Sequence, residues 1–297
     1  MKTYKELPAD GGSDIVGQVT EQINRLEKRL ASVRHTVTIM SGKGGVGKSA
    51  ITTNLASALA LSGCAVGVVD ADINGPSIAK MMGVRHTKME YGVDSVKPAV
   101  SPLGVKVISM DLFLAEDETP VLWNAATQKD AFTWRGIMEM TVLREFLSDT
   151  EWGPLDYLLI DLPPGTDRLP NLVDLLPNLG GTIVVTIPSG VSQFVVKKSL
   201  AMAKNILNTP VIGIIENMGE YICSDCGKTE DLFPSGHTEE MARQFDVALL
   251  GKVPFDPRIS VCADEGTVFV ADYGDTPASR VLKEIGEKIQ TFFERQG

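Results

Sequence analysis

Short apolar runs rich in β-branched residues alternate along this chain with longer segments of helical period. His35 to Met40, Cys64 to Asp72, Val105 to Met110, Leu155 to Leu162, Gly181 to Pro188, Val211 to Asn217 and Leu249 to Phe255 read as strands. Between them, Ser49 to Leu61, Trp134 to Leu147 and Val191 to Leu207 carry helical spacing, and Ala278 to Arg295 forms a closing helix. Gly63 stops the first of these helices. Strands alternating with helices predict an α/β fold: one doubly wound, mostly parallel sheet with helices on both faces.

At the N-terminus, polar Met1 to Ser13 with its Gly11-Gly12 break reads as a loose tail. Asp14 to Val33 then sets Ile15, Val19, Ile23, Leu26, Leu30 and Val33 on one helical stripe. The segment from Asp111 to Arg135 is polar and poorly periodic, and it yields no element. With no repeat, low-complexity tract or linker, the expectation is a tail and amphipathic helix over 1–34 followed by one domain over 35–297. A small excursion interrupts that domain at about 218–236.

Where the first strand meets the first long helix stands Ser41-Gly42-Lys43-Gly44-Gly45-Val46-Gly47-Lys48-Ser49, which satisfies the phosphate-loop pattern G-x-x-x-x-G-K-[ST]. Glycines let the backbone curl and approach a phosphate without a Cβ in the way. Their N–H groups and the following helix N-terminus form a concave anion site. Lys48 is expected to reach the β- and γ-phosphates, and Ser49 to hold Mg2+. The strand before and helix after the loop argue against a glycine turn that binds nothing.

Two further strand ends bring carboxylates toward the same crevice, since α/β sheets bind ligands beyond the C-terminal ends of their strands. Asp70 and Asp72 close the second strand, so one can serve the metal shell while the other orients a water at the γ-phosphate. The bland alternative is a pair of turn-forming aspartates before Gly75-Pro76. Asp161 ends the apolar run from Leu155, as a Walker B carboxylate must.

The formal charge is −10, from 28 Lys and Arg against 38 Asp and Glu, and it argues against a general nucleic-acid surface. No apolar run is long enough for a membrane span, and the first thirteen residues lack signal-peptide character. The expectation is a cytoplasmic protein, in which four cysteines suggest metal or redox chemistry before structural disulfides.

Cys223-Ser224-Asp225-Cys226-Gly227 has the form of a metal knuckle, a tight turn that aims two sulfurs at one ion. A Cys₄ site needs two more thiolates. Cys64 opens an expected buried strand, Cys262 lies in a helix, and buried single cysteines are usually small core residues. The simplest route to four thiolates is two subunits contributing Cys223 and Cys226 each. A dithiol–disulfide pair and a Zn2+ clamp on a dimer remain open alternatives.

Lys43, just after the first glycine of K-G-G-x-G-K-[ST], resembles the signature lysine of the deviant Walker A loop in the MinD, ParA and nitrogenase-iron-protein group. That resemblance implies an ATP-sandwich homodimer. The wider set resembles the Mrp/ApbC-type iron–sulfur cluster carrier ATPases: S-G-K-G-G-V-G-K-S (41–49), D-A-D-I-N-G-P-S (70–77), I-D-L-P-P-G-T (160–166), I-E-N-M (215–218), C-S-D-C-G (223–227) and V-P-F-D-P-R-I (253–259). The resemblance implies a homodimer that binds ATP, Mg2+ and a bridging [4Fe–4S] cluster, takes the cluster from donors and passes it to apo iron–sulfur proteins. By position, Gly42, Lys43, Gly44, Gly45, Val46, Gly47, Lys48, Ser49 and Ala50 would cradle the nucleotide. Asn217 would read adenine, with Pro254 also at the nucleotide. Lys43, Asp72 and Asp161 would be catalytic, Asp72 activating the water, and Cys223 and Cys226 would hold the cluster.

This chain departs from that family's pattern in three places. Where the family usually continues P-P-G-T-G-D, it has Pro163-Pro164-Gly165-Thr166-Asp167-Arg168, which puts any role for Asp167 in doubt. The usual W-R-G-P reads Trp134-Arg135-Gly136-Ile137, after an apparently lengthened stretch around Asn124 to Phe132. The extra four-cysteine N-terminal region of some members is missing. The chief rival is a MinD- or ParA-like spatial regulator. For it, Val281, Ile285, Ile289, Phe292 and Phe293 give the last helix an apolar face, yet its cations are nearly balanced by glutamates, whereas a membrane-surface helix should be more basic. A metabolic ligase leaves the two cysteines unexplained, and no N-K-x-D motif supports a GTPase.

Overall fold

The computed structural model describes residues 15–114, 128–223, 226–233 and 237–296. Among them, strands β1 (Val33–Ser41), β2 (Val66–Asp70), β3 (Ala99–Val100), β4 (Lys106–Ile108), β5 (Leu155–Asp161), β6 (Gly181–Thr186), β7 (Val211–Ile222), β8 (Thr229–Asp231) and β9 (Leu249–Phe255) form one sheet. Its order is β3-β4-β2-β5-β1-β6-β7-β8, with β9 also on β7. Only the short β3 and β8 pair antiparallel. The doubly wound, mostly parallel architecture expected from the alternation is the one observed.

Alternation within the strands fills two cores. Val37 and Ile39 of β1 join the core with helices α2 (Lys48–Leu61) and α10 (Pro277–Glu294). Met40 points the other way, toward a core built with α1 (Ile15–Leu30), α4 (Gln128–Asp149), α5 (Arg168–Leu175) and α6 (Gly190–Ala201). Side chains on successive strand positions face opposite sides, so a run buried on both faces reads as continuously apolar. Thr38, wholly buried inside that run, is accommodated because its Oγ1 lies 2.9 Å from Thr182 Oγ1.

The closing helix packs rather than lying free. Leu282, Ile285, Ile289 and Phe293 of α10 are buried, and Val281 and Phe292 pack against the same core. The apolar face that the membrane reading required is therefore spent on the sheet and α2. No helix among the described residues is long and apolar enough to cross a membrane. Helix α1 packs on α4, with Arg25 3.4 Å from Asp149 Oδ1 and Arg29 donating to the Ser148 carbonyl at 3.2 Å.

Several boundaries differ from the sequence reading. Cys64 does not open a strand: it sits half-buried in the turn before β2, where Gln290 Nε2 lies 3.3 Å from its sulfur. The expected helix from Val191 ends at Ala201 and gives way to one π turn, Met202–Ile206. Strand β7 runs on to Ile222, so the excursion after Asn217 begins as the strand's own extension. Helices α3 (Ile78–Met81), α5, α7 (Thr238–Gln244) and α9 (Phe269–Asp272) carried too little periodicity to be read, being short and half-covered, whereas α8 (Pro257–Glu265) is the helix expected around Cys262. The unplaced segment contains a 3₁₀ turn, Met110–Phe113, and the start of α4; its residues 115–127 lie outside the described set.

Candidate nucleotide site and cysteine knuckle

Strand β1 delivers the chain to the glycine loop at the centre of the sheet, between β5 and β6. Gly45 and Gly47 hold φ of 79° and 78°, a left-handed conformation that other residues adopt only with strain. Gly42 is required by contact instead, since a Cβ there would come within 2.8 Å of Val195 Cγ1. Gly47 then caps α2, whose first N–H groups face the loop. The result is a tightly curved loop that runs from Gly42 into the N-terminus of α2.

Behind the loop lies a buried charge cluster centred on Asp161. Its Oδ2 accepts from Lys48 Nζ at 2.5 Å and Ser49 Oγ at 2.7 Å, while Oδ1 accepts from Thr52 Oγ1 at 2.6 Å. Lys48 is 7% exposed and Asp161 fully buried. Removing one partner of such a pair typically costs about 3–5 kcal/mol, because the other charge is left uncompensated out of water. The phosphate-binding lysine, metal-binding serine and strand-end carboxylate of the sequence reading thus meet in one contact, and Thr52 joins them. Thr52 was missed by the sequence reading, although its spacing after the loop on a helix already expected was visible.

The two aspartates of the second strand separate into different roles. Asp70 pairs in register with Asp161 on the neighbouring strand and is wholly buried. Burial, reinforced by the Asp161 charge, pushes its pKa up to about 7. Its Oδ2 accepts from the N–H groups of Ser77 and Ile78 and from Ser109 Oγ at 2.9–3.1 Å, which ties down the loop after β2. Of the two, then, Asp70 anchors. Asp72 stands partly exposed on that loop with its Oδ1 accepting from Gly75 N at 3.2 Å. Its pKa is raised chiefly by partial burial, against the lowering pull of the Lys48 charge. A carboxylate of raised pKa, near the phosphate-binding lysine, has the properties of a water-orienting base.

Lys43 is partly exposed on the loop rim; among the described residues its side chain makes no hydrogen bond or ion pair. Asn217 is buried at the end of the β6–β7 pairing and donates from Nδ2 to the Val46 carbonyl at 2.9 Å. The contact the structure gives Asn217 is therefore with the loop, and a side chain at position 47 would collide with it. Met218, next in the chain, has φ 55°, a left-handed value that turns it toward Gly47. Pro254 is buried in β9.

Beyond Met218, β7 carries the chain to the knuckle. Antiparallel pairing of Tyr221 with Glu230 and Ile222 with Thr229 makes a hairpin, and Cys223 and Cys226 stand in its turn. Cys223 N donates to Lys228 O at 3.0 Å, and Gly227 N to Cys223 O at 2.9 Å, with Gly227 at φ 70°. Cys223 is half-buried and Cys226 exposed. Among the described residues no cluster of three or more His, Cys, Asp or Glu stands ready for a metal. Cys64 borders a 400 Å³ hollow with Arg34 and Asp156, at the opposite, N-terminal ends of β1 and β5. Cys262 is buried in α8. Among the described residues, Cys223 and Cys226 are thus the two cysteines that share one accessible turn.

A family model described as ParA: NUBPL iron-transfer P-loop NTPase matches residues 32–290. The iron–sulfur cluster carrier protein of Methanocaldococcus jannaschii is 42% identical over 272 residues, covering 91% of this chain and 89% of that protein. The cytosolic Fe–S cluster assembly factor NUBP2 of Bos taurus is 37% identical over 265 residues, covering 88% and 93%. A nucleotide-binding protein from Archaeoglobus fulgidus, solved in complex with ADP, superposes with a TM-score of 0.69 at 33% identity, over 83% of this chain and 92% of that one. This chain belongs to the NUBPL iron-transfer P-loop NTPase family.

Proposed function

Within that family, we propose that this chain is an ATP-hydrolysing carrier that works as a homodimer. Two knuckles hold one [4Fe–4S] cluster between them, and the cluster passes from a donor to apo iron–sulfur proteins. The observation that supports this best is the shape of β7. One strand touches the nucleotide loop through Asn217 and, after its extension, presents Cys223 and Cys226 at an accessible hairpin tip. A carrier needs a bound cargo that a client can reach, and an exposed two-thiolate turn meets that need where a closed structural site does not.

In this reading the glycine loop and Lys48 hold the phosphates of ATP, and the Asp161–Ser49 pair is where Mg2+ would be held. When bound there, the ion would supply positive charge that offsets the phosphates. Ser49 Oγ and Asp161 Oδ2, 2.7 Å apart, are the oxygen donors that a hard cation takes. Asp72 orients the attacking water, and Lys43 reaches toward the nucleotide of a second subunit. Asn217 has its Nδ2 engaged on the loop, so contact with adenine falls to Oδ1, while Pro254 lines the base side. Zn2+ is the competing occupant of the knuckle. A cytoplasmic setting belongs to the same proposal and rests on the cytosolic relative.

The test is anaerobic reconstitution followed by iron and sulfide analysis with visible absorption. The expected result is about four irons per two chains with a dimer in solution, the stoichiometry of one Cys₄-bound cluster. Zinc alone in anaerobically purified protein, or a full cluster on a monomer, overturns the bridging carrier.

A further inference from the structure

Glu139, on α4, is buried between two loops that flank the nucleotide site and has no part in the roles assigned so far. Its Oε1 accepts from Asn74 Nδ2 at 2.5 Å, and its Oε2 receives Arg168 Nη1 at 2.6 Å. Asn74 lies in the loop after β2, two residues beyond Asp72. Arg168 opens α5, directly after the Pro163–Asp167 loop that follows Asp161. One carboxylate thus ties the loop carrying Asp72 to the loop leaving Asp161, one oxygen for each. Glu139 is 8% exposed and Arg168 27%, so the pair is far less screened than a surface ion pair.

We propose that Arg168, Glu139 and Asn74 form a positioning clasp that sets Asp72 for hydrolysis. Both ends of the clasp act close to the phosphate loop. On one side Gly165 N donates to Ser41 O at 3.0 Å, so the Asp161 loop is already seated on the glycine loop before it reaches Arg168. On the other, Asp70 Oδ1 accepts from Asp72 N at 3.2 Å, and Asp70 Oδ2 takes Ser77 and Ile78. These bonds fix the two ends of the 70–77 loop, and Asn74 on Glu139 fixes its apex from outside. Asp72 sits between those anchors. Asp167 adds a long, solvent-screened ion pair to Arg168, its Oδ2 3.6 Å from Nε and its side chain 75% exposed, and it does not reach Glu139's other partner, Asn74. The clasp gives a physical role to the position where the sequence reads Thr166-Asp167-Arg168, a departure the nucleotide roles left unused.

The proposal rests on the ATPase reading, so its test carries two readouts on the full-length protein. The first is steady-state ATP hydrolysis by Arg168→Ala, Asn74→Ala and their double variant, with Arg34→Ala as a control that breaks only an exposed ion pair with Asp156. Misplacing a catalytic group lowers turnover more than binding, so Arg168→Ala is expected to lower kcat about tenfold or more with KM within about twofold. Arg168→Lys is expected to restore most of kcat, since an ammonium still supplies the charge. Arg168 and Asn74 both act through Glu139, so the double variant is expected to lose little more than the worse single one. Unchanged kcat, a loss confined to KM, or losses that simply multiply would overturn the clasp.

The second readout is amide hydrogen exchange across residues 70–77, which does not depend on turnover. Arg168→Ala is expected to speed exchange at Gly75 and Ser77, and unchanged exchange there overturns the clasp. If the wild-type protein fails to hydrolyse ATP, the ATPase reading falls, and exchange alone decides the clasp. Should Arg168→Ala fail to fold because Glu139 is left buried without its cation, Asn74→Ala, at an exposed residue, carries both measurements.

Discussion

The two halves of β7 serve sites of opposite construction. At its inner end, around Asn217, lies a buried cluster held within one chain: Asp161 gathers Lys48, Ser49 and Thr52, all in contact at 2.5–2.7 Å. At its outer end Cys223 and Cys226 stand in a hairpin turn, one half-buried and one exposed, with no further ligand cluster among the described residues. A reaction on phosphates rewards preorganised, water-poor charge, because fixed dipoles and charges then cost no reorganisation. Cargo that must leave the protein demands the reverse, since a closed shell of ligands would hold it. In the proposed carrier, burial goes with the chemistry and exposure with the hand-over.

The sharpest way to break that contrast is at the outer site. Cys223→Ala or Cys226→Ala is expected to lose the cluster entirely, because neither half-site can then supply two thiolates, while ATP affinity stays at the wild-type value. Cys64→Ala and Cys262→Ala are expected to keep the cluster, since one lies at the far end of the strands and the other inside α8. Iron content and calorimetric ATP titration on the four variants check this. A knuckle variant with a full cluster would dissolve the contrast.

At the inner site, Asp72→Asn is expected to lower the ATPase kcat about a hundredfold or more, within the range for removing a general base. Nucleotide affinity should persist, and Lys43→Ala should fall in the same class by impairing hydrolysis and dimer closure. Lys48→Ala is expected to act on binding instead, weakening ATP by about a hundredfold through the loss of charge-assisted bonds. It should also lower the melting temperature, because Asp161 is left buried without its cation. Calorimetry showing wild-type ATP affinity in Lys48→Ala would remove the phosphate role.

The smallest effect concerns pH. Burial and the Asp161 charge push the Asp70 pKa from its ordinary 3.8 up to about 7, so between those values the folded state holds a proton there that the unfolded chain has released. Its contribution to stability is full below about pH 4 and declines as the pH rises toward 7. The melting temperature of the wild type minus that of Asp70→Asn should therefore shrink across that interval. A difference that stays constant would mean that Asp70 is ionised throughout and carried by its four hydrogen-bond donors.

Much of the inner site was legible because its residues are bound by local rules. The glycines of the loop, Lys48 and Ser49 answer to one turn and one helix start, and Asp161 to the end of an apolar strand. The outer pair was legible for the same reason: Cys-x-x-Cys-Gly describes a single turn, and the structure places that turn at the hairpin tip. Residues whose neighbours come from far along the chain were not legible. Arg168 is an unremarkable cation after a proline-rich loop until α5 sets it against Glu139 on α4. Asn217 was named only through the family resemblance, and its hydrogen bond to the Val46 carbonyl, 171 residues away, was not legible.

The sequence by itself determined the alternation of strands and helices, the glycine loop and the pairing of two cysteines. Each depends on backbone conformation and side-chain period over a few residues, which neighbouring residue types dictate directly. The tertiary structure decided that Asp70 anchors while Asp72 stands partly exposed near Lys48, that α10 packs on the sheet, and that Glu139 clasps two loops. Those outcomes depend on which strands lie side by side and how far each carboxylate is removed from water. Strand order and burial are properties of the assembled sheet, set by the sum of its packing and visible in no single stretch of chain.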